Sequence, residues 1–209
     1  MAGLRLYLLR HGETAWNSAG KYQGQLDIPL NDRGREQALL TSRWMVRRSL
    51  DAIYASDLCR ALESAAPIAA ACGLKVVPME GLRERHMGAY QGLSFEEIRE
   101  KFPETRRKDF RTFGKIPSGE DAEQFLDRVD RTIATLVANH DDGRILVVTH
   151  GGFVYYYIRH LLGLPVTTDL HVKVANASVH IFDRRESGWT INALGITEHL
   201  GGEDVAELA

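Results

Sequence analysis

At 209 residues and 44% hydrophobic content, the chain suits one domain of the larger sort and is too apolar for disorder. Lys and Arg total 26 against 28 Asp and Glu, a net charge of −2 that gives no electrostatic case for nucleic acid or an anionic membrane. No apolar run approaches the roughly 20 residues that span a bilayer, and the first residues lack the long apolar region of a signal peptide, so a cytoplasmic protein is expected.

The apolar run Leu4 to Leu9 predicts a buried strand of the kind found in parallel sheets. A loop follows from Gly12 to Asn31. Asn31 or Asp32 can cap a helix running to about Arg48, with Ala38, Leu39, Trp44 and Met45 among its apolar positions. Asp51 to Ala55 reads as a strand. Ser56 is a plausible cap for the next helix, with Asp57 at its positive end and Gly73 as its stop after Cys72. Lys75 to Met79 is a third strand. Residues from about Glu80 to Ser118 are rich in charge and read as a lobe inserted over the sheet, with a helix from Ser94 to Phe102. A long helix then starts near Gly119-Glu120-Asp121 and reaches Asn139, and Arg144 to Thr149 is a buried strand. A helix from Phe153 to Leu162 follows, and then two late strands, Val172 to Phe182 and Trp189 to Leu194. Alternating strands and helices predict one α/β domain over 1–209, a three-layer α/β/α sandwich with a largely parallel sheet and an inserted cap-like helical segment. Cys59 and Cys72 share one helix-like segment and match neither a disulfide framework nor a zinc site.

The first strand delivers Arg10 and His11 to its carboxyl end, where open α/β sheets bind ligands. A guanidinium fits a phosphate or carboxylate, and Gly12 permits close backbone approach and positive φ. His150-Gly151-Gly152 repeats this pattern, with glycines leading into a helix whose first amides suit an anion. No aspartate or cysteine cluster accompanies the two histidines, so a metal site is not expected. Arg60 reads either as a solvated helix arginine or as a third anion ligand. Glu84 reads either as a surface carboxylate or as an acid–base group.

Four motifs stand in order along the chain: Arg10-His11-Gly12-Glu13-Thr14, Ser56-Asp57-Leu58 with Arg60-Ala61, Glu84-Arg85-His86 with Gly88, and Thr149-His150-Gly151-Gly152. Together they resemble the histidine phosphatase superfamily, also called the phosphoglycerate mutase-like family, from about Leu4 to Leu200. The resemblance implies that His11 is a nucleophile forming a phosphohistidine. It implies that Arg10, Arg60 and His150 hold the phosphoryl oxygens, joined by Asn17, Gly151 and the pocket-bordering Gln23-Gly24. Glu84 then protonates the leaving oxygen and activates water. No cofactor or metal is implied.

Within the family, mutases follow the acid glutamate with a tyrosine and a lysine that contact the substrate's acidic groups; those positions here are Met87 and Phe95. Arg111 is a candidate for one member of a mutase arginine pair, but Thr112 takes the other place, and a long proline-containing insert is missing. Gly152 stands where mutases tend to have asparagine. These departures favour a phosphatase of small phosphomonoesters with a partly apolar pocket mouth. The alternatives are a 2,3-bisphosphoglycerate-dependent phosphoglycerate mutase and a non-catalytic phosphate-binding module. The expected partner is a small phosphorylated metabolite, with neither nucleic acid nor membrane; oligomeric state is not legible, and a homodimer is compatible with the sequence. The basic cluster Arg106, Arg107, Lys108 and Arg111 reads as a solvated helix face, and Tyr155-Tyr156-Tyr157 as core packing. His86 is a candidate support for Glu84; His140, His171, His180 and His199 have no assignable partner.

Overall fold

The computed structural model describes residues 3–103, 115–168, 170 and 172–201. The Arg106–Arg111 cluster, Thr112 and His171 lie outside the described residues. Six strands form one sheet: β1 (Leu4–Arg10), β2 (Ala52–Ser56), β3 (Val76–Met79), β4 (Gly143–Thr149), β5 (Val179–Arg185) and β6 (Gly188–Ile196), in the order β3-β2-β4-β1-β5-β6. The first four are mutually parallel, and β5 and β6 add antiparallel pairings at one side. The sheet is therefore mostly parallel, as expected for alternating strands and helices.

Strand side chains alternate faces, and the core divides accordingly. Leu4, Leu6, Leu8, Ile145 and Val147 pack on one side under α5 (Ala122–Ala138) and α6 (Gly151–Leu161). Tyr7, Leu9, Leu146 and Val148 pack on the other under α2 (Asp32–Met45) and α3 (Cys59–Cys72). The helix pairs thus lie on opposite faces, and the chain leaves β1 and β4 toward opposite sides. The carboxyl ends of these neighbouring strands form the crevice at a topological switch point.

Of the remaining helices, α1 (Ala15–Ser18) is a single turn capped by Thr14, and α4 (Phe95–Lys101) begins with a capping box between Ser94 and Glu97. The described part of the segment after β3 has its own small core, formed by Met87, Tyr90, Ile98 and Ile116. Among the described residues, no helix is long and apolar enough to cross a membrane.

Several local expectations are corrected. Ser56 ends β2 rather than capping α3; the first helical amide, on Cys59, is capped from a distance by Asp27 Oδ1 at 2.7 Å. Asp57 is held by Arg83 through both carboxylate oxygens, at 2.8 and 2.5 Å, and that guanidinium holds its carboxyl below the usual range. Leu39 is exposed on the outer face of α2. The helix after β4 starts at Gly151, two residues early, because His150 already occupies the N-cap position.

The largest correction concerns residues 172–178, which are not strand. Ala177 has a left-handed φ of +54°, and the segment's polar groups bond the end of β1 instead of a neighbouring strand. Gly12 does not adopt positive φ. Its missing side chain serves close packing, since a Cβ there would lie 2.5 Å from the Gly34 carbonyl of α2.

Candidate active site

β1 and β4 end in register, Arg10 opposite Thr149, so the next residue on each strand is a histidine. The His11 amide donates to the Thr149 carbonyl at 2.9 Å, and the two imidazoles meet edge to face with centroids 5.1 Å apart. β2 lies beside β4 and leads into α3, whose second residue is Arg60; β3 lies beyond it and leads through a 3₁₀ turn at Glu80–Leu82 to Glu84. Parallel strand order thus carries four distant sequence positions to one end of the sheet.

The two histidines are held in opposite tautomers by their partners. His11 Nδ1 lies 2.7 Å from the Gly12 carbonyl, so this nitrogen carries the proton and Nε2 keeps its lone pair. His150 Nδ1 accepts from Arg60 Nε at 3.2 Å, which places its proton on Nε2; that atom is buried and has no hydrogen-bond partner among the described residues. Burial, reinforced by the Arg60 and Arg10 cations, holds both imidazoles well below 6.5 and hence neutral.

Arg60 is 1% exposed, so it is not a solvated helix arginine. Its Nη1 and Nη2 donate to the Leu26 and Gly24 carbonyls, both at 2.7 Å, and each keeps a second N–H. Gly24 adopts φ +53°, and a Cβ there would collide with Gln91 and the Met87 amide, so only glycine presents this carbonyl. Arg10 Nη1 donates to the Val174 carbonyl at 2.5 Å, while its Nε is buried without a partner among the described residues. Burial pushes the Arg10 pKa down to about 10, with Arg60 adding to the effect and Glu84 and Glu13 opposing it. Two desolvated guanidiniums form a cationic site whose donors an anion would satisfy.

Glu84 faces this site. Its Oε1 accepts from the Arg85 amide and its Oε2 from the Gly152 amide, both at 2.9 Å. One amide at the start of α6 is therefore committed to Glu84 rather than open to an anion, a correction to the expectation from the glycine pair. Arg10, His11, Asn17, Gln23, Gly24, Arg60, Glu84 and Gly151 all line one cavity of about 810 Å³. His150 is fully buried behind it, reaching it through Arg60 and the edge of His11. Asn17 Oδ1 accepts from Thr14 and from Asn176 Nδ2, leaving the Asn17 amide nitrogen to donate.

The description of the histidine phosphatase superfamily (branch 1) matches residues 6–197. The chain belongs to the histidine phosphatase superfamily. It is 39% identical over 202 residues to "Phosphoglycerate mutase-like protein 4" of Arabidopsis thaliana, covering 93% of this chain and 86% of that protein. It is 32% identical over 212 residues to "Probable phosphoglycerate mutase GpmB" of Serratia proteamaculans, covering 98% and 99%. Among solved structures, a mycobacterial glucosyl-3-phosphoglycerate phosphatase in complex with VO3 superposes with a TM-score of 0.83 at 30% identity, covering 93% of this chain and 100% of that one. The mixed α/β architecture is shared with such superfamily members.

Several residues of this histidine phosphatase site escaped the sequence reading. Asn176 Nδ2 lies 3.2 and 3.3 Å from the His11 and Gly12 carbonyls, tying the segment after α6 to the loop after β1. An asparagine between two alanines, interrupting an apolar run, is a turn signal that argues against a strand there. Arg128, from α5, donates to the carbonyls of Gly81, Arg83 and Glu84 while paired with Glu120 at 2.7 Å. Nothing local marks its role at the site, because the three carbonyls it holds lie more than forty residues away. Tyr155, Tyr156, Phe125, Leu170 and Val172 give the cavity its apolar wall, so two of the three consecutive tyrosines serve the pocket as well as the core.

The other histidines among the described residues have partners elsewhere. His86 does not support Glu84 directly: its Nδ1 accepts from the Gly88 amide and its backbone pairs with Glu120. His140 meets the Tyr54 hydroxyl, His199 meets Thr41, and His180 meets Ser178.

Burial lowers His180 to about 4, alongside the depressed His11 and His150. Below the ordinary histidine value of 6.5, the unfolded chain therefore binds more protons than the folded one. Stability is expected to be fully retained above that pH and lost as the pH falls toward 4, by up to about 1.4 kcal/mol per histidine for each pH unit. Thermal unfolding at about pH 7.5 and about pH 5.5 checks this: Tm should be lower at the acid value, and an unchanged Tm would contradict the buried neutral imidazoles.

Proposed function

We propose that this protein is a metal-independent phosphatase of small phosphomonoesters, acting through a phosphohistidine on His11. The observation that carries the reading is the neutral, Nδ1-protonated His11 beside two buried arginines: a free Nε2 lone pair in a cationic pocket suits attack on a phosphoryl group. In the first step, the bond from His11 Nε2 to phosphorus forms and the bond to the leaving oxygen breaks. Glu84 supplies that oxygen's proton. In the second, the Glu84 carboxylate takes a proton from water, whose oxygen attacks phosphorus and displaces His11. Phosphate leaves and Glu84 is again protonated.

The remaining N–H groups of Arg10 and Arg60 and the Asn17 amide are the donors for the phosphoryl oxygens, and His150, buried behind the cavity, acts on the group through Arg60, whose Nε donates to its Nδ1. The two guanidiniums supply the charge neutralisation that a metal supplies in other phosphoryl-transfer sites. The cavity of about 810 Å³ exceeds what a three-carbon acid needs, and its wall of Tyr155, Tyr156 and Phe125 suits a leaving group with an apolar or ring-shaped part. The likeness to a glucosyl-3-phosphoglycerate phosphatase agrees with hydrolysis. The names of the curated relatives make mutase chemistry the alternative to exclude.

The test is turnover of p-nitrophenyl phosphate and a panel of cellular phosphomonoesters in EDTA, ranked by kcat/KM. Phosphate release undiminished by EDTA is expected. Interconversion of 2- and 3-phosphoglycerate faster than phosphate release would establish the mutase instead, and tight binding without turnover across the panel would establish a binding module.

A further inference from the structure

We propose that Arg159 is a positioning residue for leaving-group specificity: from α6 it fixes the wall of the cavity formed by Tyr155, Leu170 and Val172. The inference rests on the phosphatase reading above. Arg159 is fully buried and lies outside the cavity lining, so it has no direct part in the proposed chemistry. It stands one helical turn after Tyr155 on the same face of α6, with its guanidinium 5.5 Å from the centre of that ring. Its Nη1 donates to the Tyr155 hydroxyl at 2.9 Å and to the Thr168 carbonyl at 2.8 Å, and its Nη2 donates to the Pro165 carbonyl. The Tyr155 hydroxyl in turn donates to the Leu170 carbonyl at 2.9 Å. One side chain thus ties down the chain after α6 at three points.

A guanidinium suits this task because its planar fork serves several acceptors from one rigid point, which a lysine ammonium on a flexible stem does not. A hydroxyl that accepts from a cation is also the stronger donor, so the bond to Leu170 is reinforced by the one from Arg159. The other end of the same segment is held separately. Asn176 Nδ2 reaches the His11 and Gly12 carbonyls, and the Ala177 amide donates to the His11 carbonyl at 3.2 Å. The connection from α6 to β5 therefore has two independent anchors. Asn176 fixes the end beside His11, and Arg159 fixes the end that walls the leaving-group side of the cavity.

The consequence is a change of selectivity without a change of phosphate affinity. The test compares ethyl phosphate with 2-phenylethyl phosphate, two primary alkyl esters that differ in the apolar part of the leaving group. The unsubstituted protein should prefer the phenylethyl ester. Arg159→Lys should raise the KM of that ester by about tenfold while leaving its kcat within about twofold. For ethyl phosphate, kcat/KM should change by less than about threefold, and inhibition by inorganic phosphate should be unchanged. Tyr155→Phe keeps the ring and both carbonyl bonds of Arg159 but removes the link to Leu170, so it should lower the same preference without disturbing the buried guanidinium. Adding it to Arg159→Lys should cost nothing further, because both break one chain of contacts. Parallel losses on the two esters in Arg159→Lys, an unchanged preference in Tyr155→Phe, or additive losses in the double variant would overturn the proposal while leaving the phosphatase reading in place. Release of phosphate from neither ester by the unsubstituted protein would overturn both.

Discussion

Replacing His11 with alanine is expected to lower kcat for phosphomonoesters by about 10⁴-fold or more, because no second group can take over the covalent step. His150, the only imidazole beside it among the described residues, cannot substitute. Its Nδ1 is committed to Arg60, its Nε2 bears the proton, and it lies outside the cavity lining. His11→Ala should still fold, since the strand register and the backbone bond from residue 11 to Thr149 do not need the imidazole. It should also still bind inorganic phosphate through Arg10 and Arg60. Steady-state assays with circular dichroism as the fold control measure this. A folded variant retaining more than about a thousandth of the activity would assign the nucleophile elsewhere.

The second large effect is at Glu84. Glu84→Gln preserves shape but not proton transfer, so kcat/KM for alkyl phosphates should fall by roughly 10²- to 10⁴-fold. With p-nitrophenyl phosphate the first step is spared, yet the second still lacks its base. Phosphorylated protein should therefore accumulate and an initial burst of nitrophenolate should precede slow turnover. Phosphate affinity should change little, because the cationic donors are untouched. Loss of affinity in step with turnover would show that Glu84 organises the pocket rather than moving protons.

What the sequence revealed and what it hid follow from the range of the interactions involved. β1 and β4 were legible because burial on both faces writes an uninterrupted apolar run, and the histidines that end them follow directly. Arg60 alone was ambiguous, because its burial depends on carbonyls of Gly24 and Leu26 on another loop, which no local pattern records. Glu84 was equally silent: its partner at Gly152 sits on a helix that follows a different strand. The family's motif order, not the spacing, lifted both from the commoner surface reading.

The misread segment, residues 172–178, shows the opposite failure. Its valines imitate a strand, but Val174 and Asn176 spend their backbone and side-chain bonds on Arg10 and His11. Likewise Ser56 looked like a helix cap because serine commonly is one, whereas the cap arrives from Asp27, far away in sequence. Local chemistry was read correctly where it was local; the errors lie where tertiary contacts replaced it.

The central claim is that a phosphoryl group rests on His11 before water receives it. Rapid quench of a single turnover with a ³²P-labelled phosphomonoester, followed by mapping of the labelled residue, tests it most directly. The account predicts label on His11 that appears and decays at rates sufficient for turnover. Inorganic phosphate released with no protein-bound label at any time, or label on another residue, would contradict it.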